Sequence, residues 1–266
     1  MAVDFTDDSQ LGFLDLKGVV ELAAVARAPH PPSLGTLSKP APFVCSDGTV
    51  YWCKGNTPQA QVQQGLMAEL VAGRLAERTA VGGPAAVVRI DQSLVPPDGT
   101  LDHLVGTVVG VRHFDNMEHV RTLQMLLSGG AVPAGSVDPL SRARVIAFQT
   151  WIGANDSQLM IGISNGRVVS IDHGDCFGNL AVPSQPSVVI TPIPGLPEQH
   201  CKDRAYLDAV LGPIEALSDE DLLIAVARVP NSGAWNADSG RRLAVARWLA
   251  DRRDKLRGVM TQWMTT

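Results

Sequence analysis

Long hydrophobic runs are missing from this sequence of 266 residues, and no stretch approaches the roughly 20 apolar residues a membrane-spanning helix needs. A signal-peptide pattern is missing too, because Asp4, Asp7 and Asp8 stand where a basic leader would be. These absences predict a cytoplasmic protein without membrane insertion. Cysteine is scarce: Cys45, Cys53, Cys176 and Cys201 are scattered, and none pairs with another at C-x-x-C spacing. That argues against the common zinc and redox patterns and leaves reduced core thiols. The histidines never form H-E-x-x-H, and no G-x-S-x-G elbow is present. Charge is modest, at 18% of residues with a formal net charge of −5, so the basic face of a nucleic-acid binder is not expected. Trp52, Trp151, Trp235, Trp248 and Trp263 read as packing residues rather than a base-stacking platform.

What remains is a chain that is 45% apolar, enough to bury one large core or two lobes. Residues 1–16 are mixed and acidic and read as a loosely ordered tail. Residues 19–27 fit either a strand or a short helix. The Pro- and Gly-bearing stretch 28–42 reads as a loop. Two β-type runs, 42–45 and Val50–Lys54, flank the hairpin turn Ser46-Asp47-Gly48. A helical pattern covers 61–79, and a turn at Gly82-Gly83-Pro84 precedes strands at Ala85–Ile90 and 105–111. This order suits a small antiparallel sheet carrying one helix.

The second half reads differently. Residues 112–137 form a connection with a helix at 117–127, followed by a helix at Pro139–Ile152. Runs at 159–163 and 168–171 are joined by Ser164-Asn165-Gly166, a strong hairpin signal. Five prolines keep 182–197 extended or looped. Helices at 202–211, Asp219–Val226 (with Ser218 as its cap) and 238–261 close the chain. The expected fold class is α+β and bilobal. A β-rich lobe of residues 1–111, including the tail, faces a helical lobe of residues 112–266 containing the hairpin. A cleft between lobes is where a small ligand binds.

Four features fall in order along the chain. The run Ser33-Leu34-Gly35-Thr36-Leu37-Ser38-Lys39-Pro40 could bring backbone N–H groups to phosphate oxygens, although alone it equally describes a surface loop. Lys54 ends a strand, where a solvated lysine would be ordinary. Glu69 follows fifteen residues later inside a helix with apolar neighbours, and a buried carboxylate there wants a cationic partner such as Lys54. A strand lysine paired with a helix glutamate is the kinase device for orienting ATP phosphates. Last come Asn155-Asp156 and Ile171-Asp172-His173-Gly174, separated by the hairpin, which would bring two carboxylates together. One would sit near an acceptor hydroxyl, and the other would hold Mg²⁺.

These pieces resemble the HipA-like kinases of actinobacteria and their phages, and more distantly the phosphatidylinositol kinases. The resemblance runs from about residue 19 to the C-terminus. It rests on the loop before Tyr51-Trp52-Cys53-Lys54-Gly55, on Ala68-Glu69-Leu70-Val71-Ala72-Gly73-Arg74, on Ala154-Asn155-Asp156 and on Ile171-Asp172-His173-Gly174. Val229-Pro230, Trp235 and the arginine-rich last helix fit as well. The resemblance implies a kinase moving the ATP γ-phosphate to a Ser/Thr or other hydroxyl, with ATP and Mg²⁺ as cofactors and a protein substrate or partner. It implies catalytic roles for Asp156, Lys54 and Glu69, nucleotide contacts from Gly35, Ser38, Lys54 and Asp172, and an adenine-side connection within 106–113. Asp172 would bind the metal. The sequence departs from the family after Asp156: Ser157 replaces the usual Arg, and Ile161 stands where an Asn binds the second metal. Gln158 or Asn155 would supply the substitute oxygen, though neither sits at the family's position, and Gln158 is the expected second metal ligand. The departure keeps a second expectation open, a weak or inactive pseudokinase that binds a protein.

Overall fold

The computed structural model describes residues 3–29, 39–55, 65–120, 136–178, 180, 185–193 and 196–266. The chain begins with helix α1 (Asp8–Asp15), not with a loose tail. Asp7 caps it by accepting a hydrogen bond from the Ser9 N–H at 2.9 Å, and Leu11 is fully buried. Asp15 then pins the helix end to the C-terminal helix through Arg242, with Oδ2 2.7 Å from the guanidinium.

Five strands follow: β1 (Glu21–Arg27), β2 (Ala41–Cys45), β3 (Val50–Lys54), β4 (Ala85–Ile90) and β5 (Gly106–Arg112). They close into a barrel in the order β1-β2-β3-β5-β4. The expected small antiparallel sheet is corrected on two counts. It closes, and its closing pair β1–β4 is parallel. Strand β1 pairs with β4 through Glu21–Ala23 and with β2 from Ala24 onward, where the register is irregular between Ala24 and Ala26. Phe43, Cys45, Tyr51, Cys53, Val88, Ile90 and Val108 fill the barrel interior. The predicted turn at Asp47 is present, and its carboxylate accepts from the Thr49 N–H and the Tyr51 hydroxyl at 3.0 Å each.

Helix α2 (Gly65–Arg78) lies against the barrel with ten of its residues buried. Its approach depends on Gly73, where an added Cβ would meet the Ala85 Cβ at 2.4 Å. Strand β6 (Met117–His119) pairs with β7 (Asp156–Gly162), which pairs with β8 (Val168–Asp175), giving a second, antiparallel sheet. The helix expected at 117–127 is therefore wrong over Met117–His119, because a strand partner was available and overrode local preference. Residues 121–127 of that expectation lie outside the described residues.

Helix α3 (Pro139–Ile152) starts on the Asp138 cap with Pro139 in its first turn. Helices α4 (Leu207–Glu215), α5 (Asp219–Val226) and α6 (Ser239–Thr265) complete the chain. The predicted helix at 202–211 begins only at Leu207, after a 3₁₀ turn at Arg204–Tyr206. Ser218 caps α5 within a full capping box, as its spacing to Asp221 permits. One large apolar cluster joins α2, Val87 and Val109 of the barrel, α3, the β7–β8 hairpin and the last three helices. Trp151, Trp235, Trp248 and Trp263 are buried in it, as packing residues should be. All four cysteines are free thiols.

Candidate active site

Strand alternation sets the first side chain. Tyr51 and Cys53 point into the barrel, so Val50, Trp52 and Lys54 take the other face, toward α2. The close contact at Gly73 brings α2 near the sheet, and Glu69, one turn earlier, arrives over Lys54. The Lys54 ammonium donates to Glu69 Oε2 at 2.7 Å. It also donates to Asp172 Oδ1 at 2.7 Å. Sheet, helix and hairpin thus meet on one cation. Glu69 is 1% exposed, Lys54 14% and Asp172 31%, so the constellation is buried on the glutamate side and open on the aspartate side.

The hairpin delivers Asp172 through two local features. Gly166 turns it with φ +65°, where a Cβ would meet the Ser136 carbonyl oxygen at 2.1 Å. Near the other end the register shifts between Asp156 and Gln158. Bulges of this kind re-aim side chains beside functional sites. Asp172 itself has φ +60°, the left-handed region that costs an L-residue about 1–2 kcal/mol. Lys54 and the Gln158 amide, whose Nε2 donates to Asp172 Oδ2 at 3.1 Å, hold it there. The Gln158 carbonyl oxygen faces His119 Nε2 at 2.7 Å.

Electrostatics follow from this packing. Burial pushes the Lys54 ammonium down, but the charges of Glu69 and Asp172 outweigh it and hold the group above its ordinary value. Burial likewise raises Asp172, and the Lys54 charge and hydrogen bond overcome it, leaving the carboxyl below the usual range. His173 is pushed down by burial, with Glu69 opposing.

Of the residues singled out from the sequence, Lys54, Glu69, Asp172 and Gln158 come together. Gly35 and Ser38 lie outside the described residues, as does the side chain of Asp156. The Asp156 backbone pairs with Asp175, not with Asp172, at the base of the hairpin. Asp175 also takes hydrogen bonds from Asn155, from its N–H at 2.9 Å and from its side-chain amide at 3.3 Å. Sequence reasoning gave no role to Asp175, His119 or His173. The first two depend on strand register, which no motif announces. His173 stood within the Asp-His-Gly run but carried no spacing signal of its own. Among the described residues, no group of three or more His, Cys, Asp or Glu side chains converges on a metal position. No helix among them is long and apolar enough to cross a membrane.

No known family profile matches the sequence, and no curated protein does. Among solved structures, the Helicobacter pylori proinflammatory kinase CtkA aligns over 93% of this chain and 98% of its own, with a TM-score of 0.57 at 11% identity. The chain has a kinase-like fold. Two structures of the Golgi casein kinase, one with Mn/ADP bound, also align. Their TM-scores are 0.45 and 0.42 and their identities 10% and 12%, over 97% and 96% of this chain and 76% of each of those. In protein kinases a strand lysine pairs with a helix glutamate beside an aspartate that binds metal. In this kinase-like fold Lys54 bridges the helix carboxylate of Glu69 and the hairpin carboxylate of Asp172.

Proposed function

We propose that the chain is a HipA-like, ATP-binding kinase that transfers the γ-phosphate of ATP to a Ser/Thr or other hydroxyl acceptor. The observation that carries this reading is Lys54 bridging Glu69 and Asp172 at 2.7 Å each, on a kinase-like fold. Lys54 would turn its ammonium to the nucleotide phosphates, with Glu69 positioning it. Residues 1–111 would supply this part of the site, with Gly35 and Ser38 adding donors to the phosphates, and residues 112–266 the remainder. Asp156 would take the proton of the acceptor hydroxyl. In that step the acceptor oxygen bonds to the γ-phosphorus as the bond from that phosphorus to ADP breaks.

The donor set fits a divalent cation such as Mg²⁺. Asp172 is open on one side, and among the described residues each of its oxygens is engaged by a single donor, so lone pairs remain. Mg²⁺ takes one or two carboxylates together with phosphate oxygens and water, and would neutralise phosphate charge. Gln158 would be its second protein ligand once its amide inverted to present oxygen.

Phosphate transfer by purified protein with Mg²⁺ or Mn²⁺ tests the reading against Asp156→Asn and Lys54→Met. Each variant should fall by about 100-fold or more. Equal transfer by the native and Asp156→Asn proteins would remove the enzyme reading.

One observation favours a second reading, a pseudokinase that grips a protein partner. The Gln158 end nearest Asp172 is a hydrogen-bond donor, and its oxygen is engaged with His119. A nucleotide-induced thermal shift that ignores Mg²⁺, with no transfer, would select it.

A further inference from the structure

Glu69 presents an imbalance. Its Oε2 accepts from Lys54 at 2.7 Å, while its Oε1 is buried with no hydrogen-bond partner among the described residues. A buried carboxylate oxygen left without a donor is costly. The group that faces it is His173, whose Nδ1 lies 3.9 Å from Glu69 Oε1, with the ring 3% exposed. That distance is too long for a hydrogen bond. It is also too short for an interposed water, whose two bonds would hold the ends roughly 4.5 Å apart.

Hydrogen-bond directions behind the ring decide where its proton sits. The Thr191 hydroxyl donates to Gln149 Oε1 at 3.1 Å. This turns the Gln149 amide nitrogen toward Ser170, and it donates to Ser170 Oγ at 3.1 Å. The Ser170 hydroxyl hydrogen then needs an acceptor, and His173 Nε2 lies 2.9 Å away. Nε2 therefore accepts, and the hydrogen of the neutral ring is on Nδ1, the atom aimed at Glu69. Phe148 packs on the ring edge-to-face at 5.6 Å and keeps it from turning.

We infer that His173 is a positioning residue, using an Nδ1–H to steady the second oxygen of Glu69 so that the first stays on Lys54. The chain from Thr191 through Gln149, Ser170 and His173 reaches the Lys54–Glu69 pair from the far side of the hairpin. A closure of under about 1 Å completes the last contact, as happens when active-site hydrogen bonds tighten on ligand binding. The effect on nucleotide binding rests on the reading of Lys54 as the phosphate contact. The proton location does not.

The test uses the full chain in two arms. In the first, ¹⁵N spectra of the labelled imidazole should show His173 protonated on Nδ1 alone. A ring protonated on Nε2, or on both nitrogens, overturns the assignment. In the second, His173→Asn keeps a donor near the Nδ1 position, and His173→Gln keeps a polar group near the Nε2 position. Asparagine should hold ADP affinity within about threefold of native and preserve the protected Lys54 ammonium signal. Glutamine should weaken ADP binding about tenfold and lose that signal, the size expected for one hydrogen bond to a charged group. Rescue by glutamine and not asparagine would mean that His173 only packs against Ser170, and would overturn the inference. If the native protein binds no nucleotide, the phosphate reading of Lys54 fails, and the ring protonation and lysine signal still decide the role of His173.

Discussion

Lys54 Nζ and Asp172 Oδ1 are 2.7 Å apart although 118 positions separate them in the chain. The same ammonium neutralises Glu69, which is 1% exposed. Removing one partner of a buried pair leaves the other charge uncompensated, which costs more than the pair contributes. Lys54→Met should therefore lower stability by about 2–4 kcal/mol, at or below the usual range for a buried pair because Asp172 is partly open. Adding Glu69→Leu should restore part of that loss, so the double variant costs less than the two singles together. Urea denaturation of the four proteins checks this, and strict additivity would contradict it.

The same triad fixes the sign of the pH dependence. The Asp172 carboxyl is held below its unfolded value, so its contribution is present above about pH 4 and is lost as pH falls through the folded value. The Lys54 ammonium is held above its unfolded value, so its contribution is complete below about pH 10 and is lost as pH rises through the folded value. Denaturation midpoints should begin to fall below about pH 6.5, where the unfolded imidazole of His173 takes a proton that its buried form resists, and fall further in acid as Asp172 protonates. Asp172→Asn should flatten the acid limb, and Lys54→Met should remove the alkaline loss. An unchanged acid limb in Asp172→Asn would place the sensitive carboxylate elsewhere.

Much of this site was legible because its signals are local. The alternation of Val50–Lys54 sets the face of Lys54, and the apolar neighbours of Glu69 announce a buried helix. Asn165-Gly166 marks the hairpin that carries Asp172. Barrel closure was not legible, since it depends on β1 pairing in parallel with β4, a contact between strands some sixty residues apart. Met117–His119 was misread for the same reason: three residues have too little periodicity to show that a strand partner awaits them. The tail was misjudged because its order comes from Asp15 meeting Arg242, and charge composition does not reveal tertiary partners.

Gly73 tests how tightly the helix must sit on the sheet. A Cβ there would meet the Ala85 Cβ at 2.4 Å, with the Ala85 backbone nitrogen at 3.3 Å. Neither neighbour is the end of a flexible side chain, so α2 itself must move. Gly73→Ala should destabilise by about 1–3 kcal/mol through overpacking, despite the better helix propensity of alanine. It should also weaken nucleotide binding by shifting Glu69 away from Lys54. Pairing it with Ala85→Gly removes the 2.4 Å contact, leaving the backbone nitrogen at 3.3 Å, and should recover part of the affinity. If the pair shows no recovery, the Gly73 contact does not set the height of Glu69.

The N-terminal helix gives the last expectation. Arg242 is 5% exposed and donates to both oxygens of Asp15, from NH1 at 3.0 Å and NH2 at 2.7 Å. The Arg228 N–H adds a third donor to the same carboxylate at 2.7 Å. These contacts outweigh the burial that raises Asp15 and hold its carboxyl below the usual range. Without Asp15 the Arg242 charge is stranded in the large core beneath α1. Asp15→Ala should thus cost about 2–4 kcal/mol, and Asp15→Asn somewhat less, because the amide oxygen still accepts one bond. Deleting residues 1–16 should cost at least as much as Asp15→Ala, since Leu11 also leaves the core. A truncated chain with the native denaturation midpoint would mean that the tail is passive and that Arg242 finds another counter-charge.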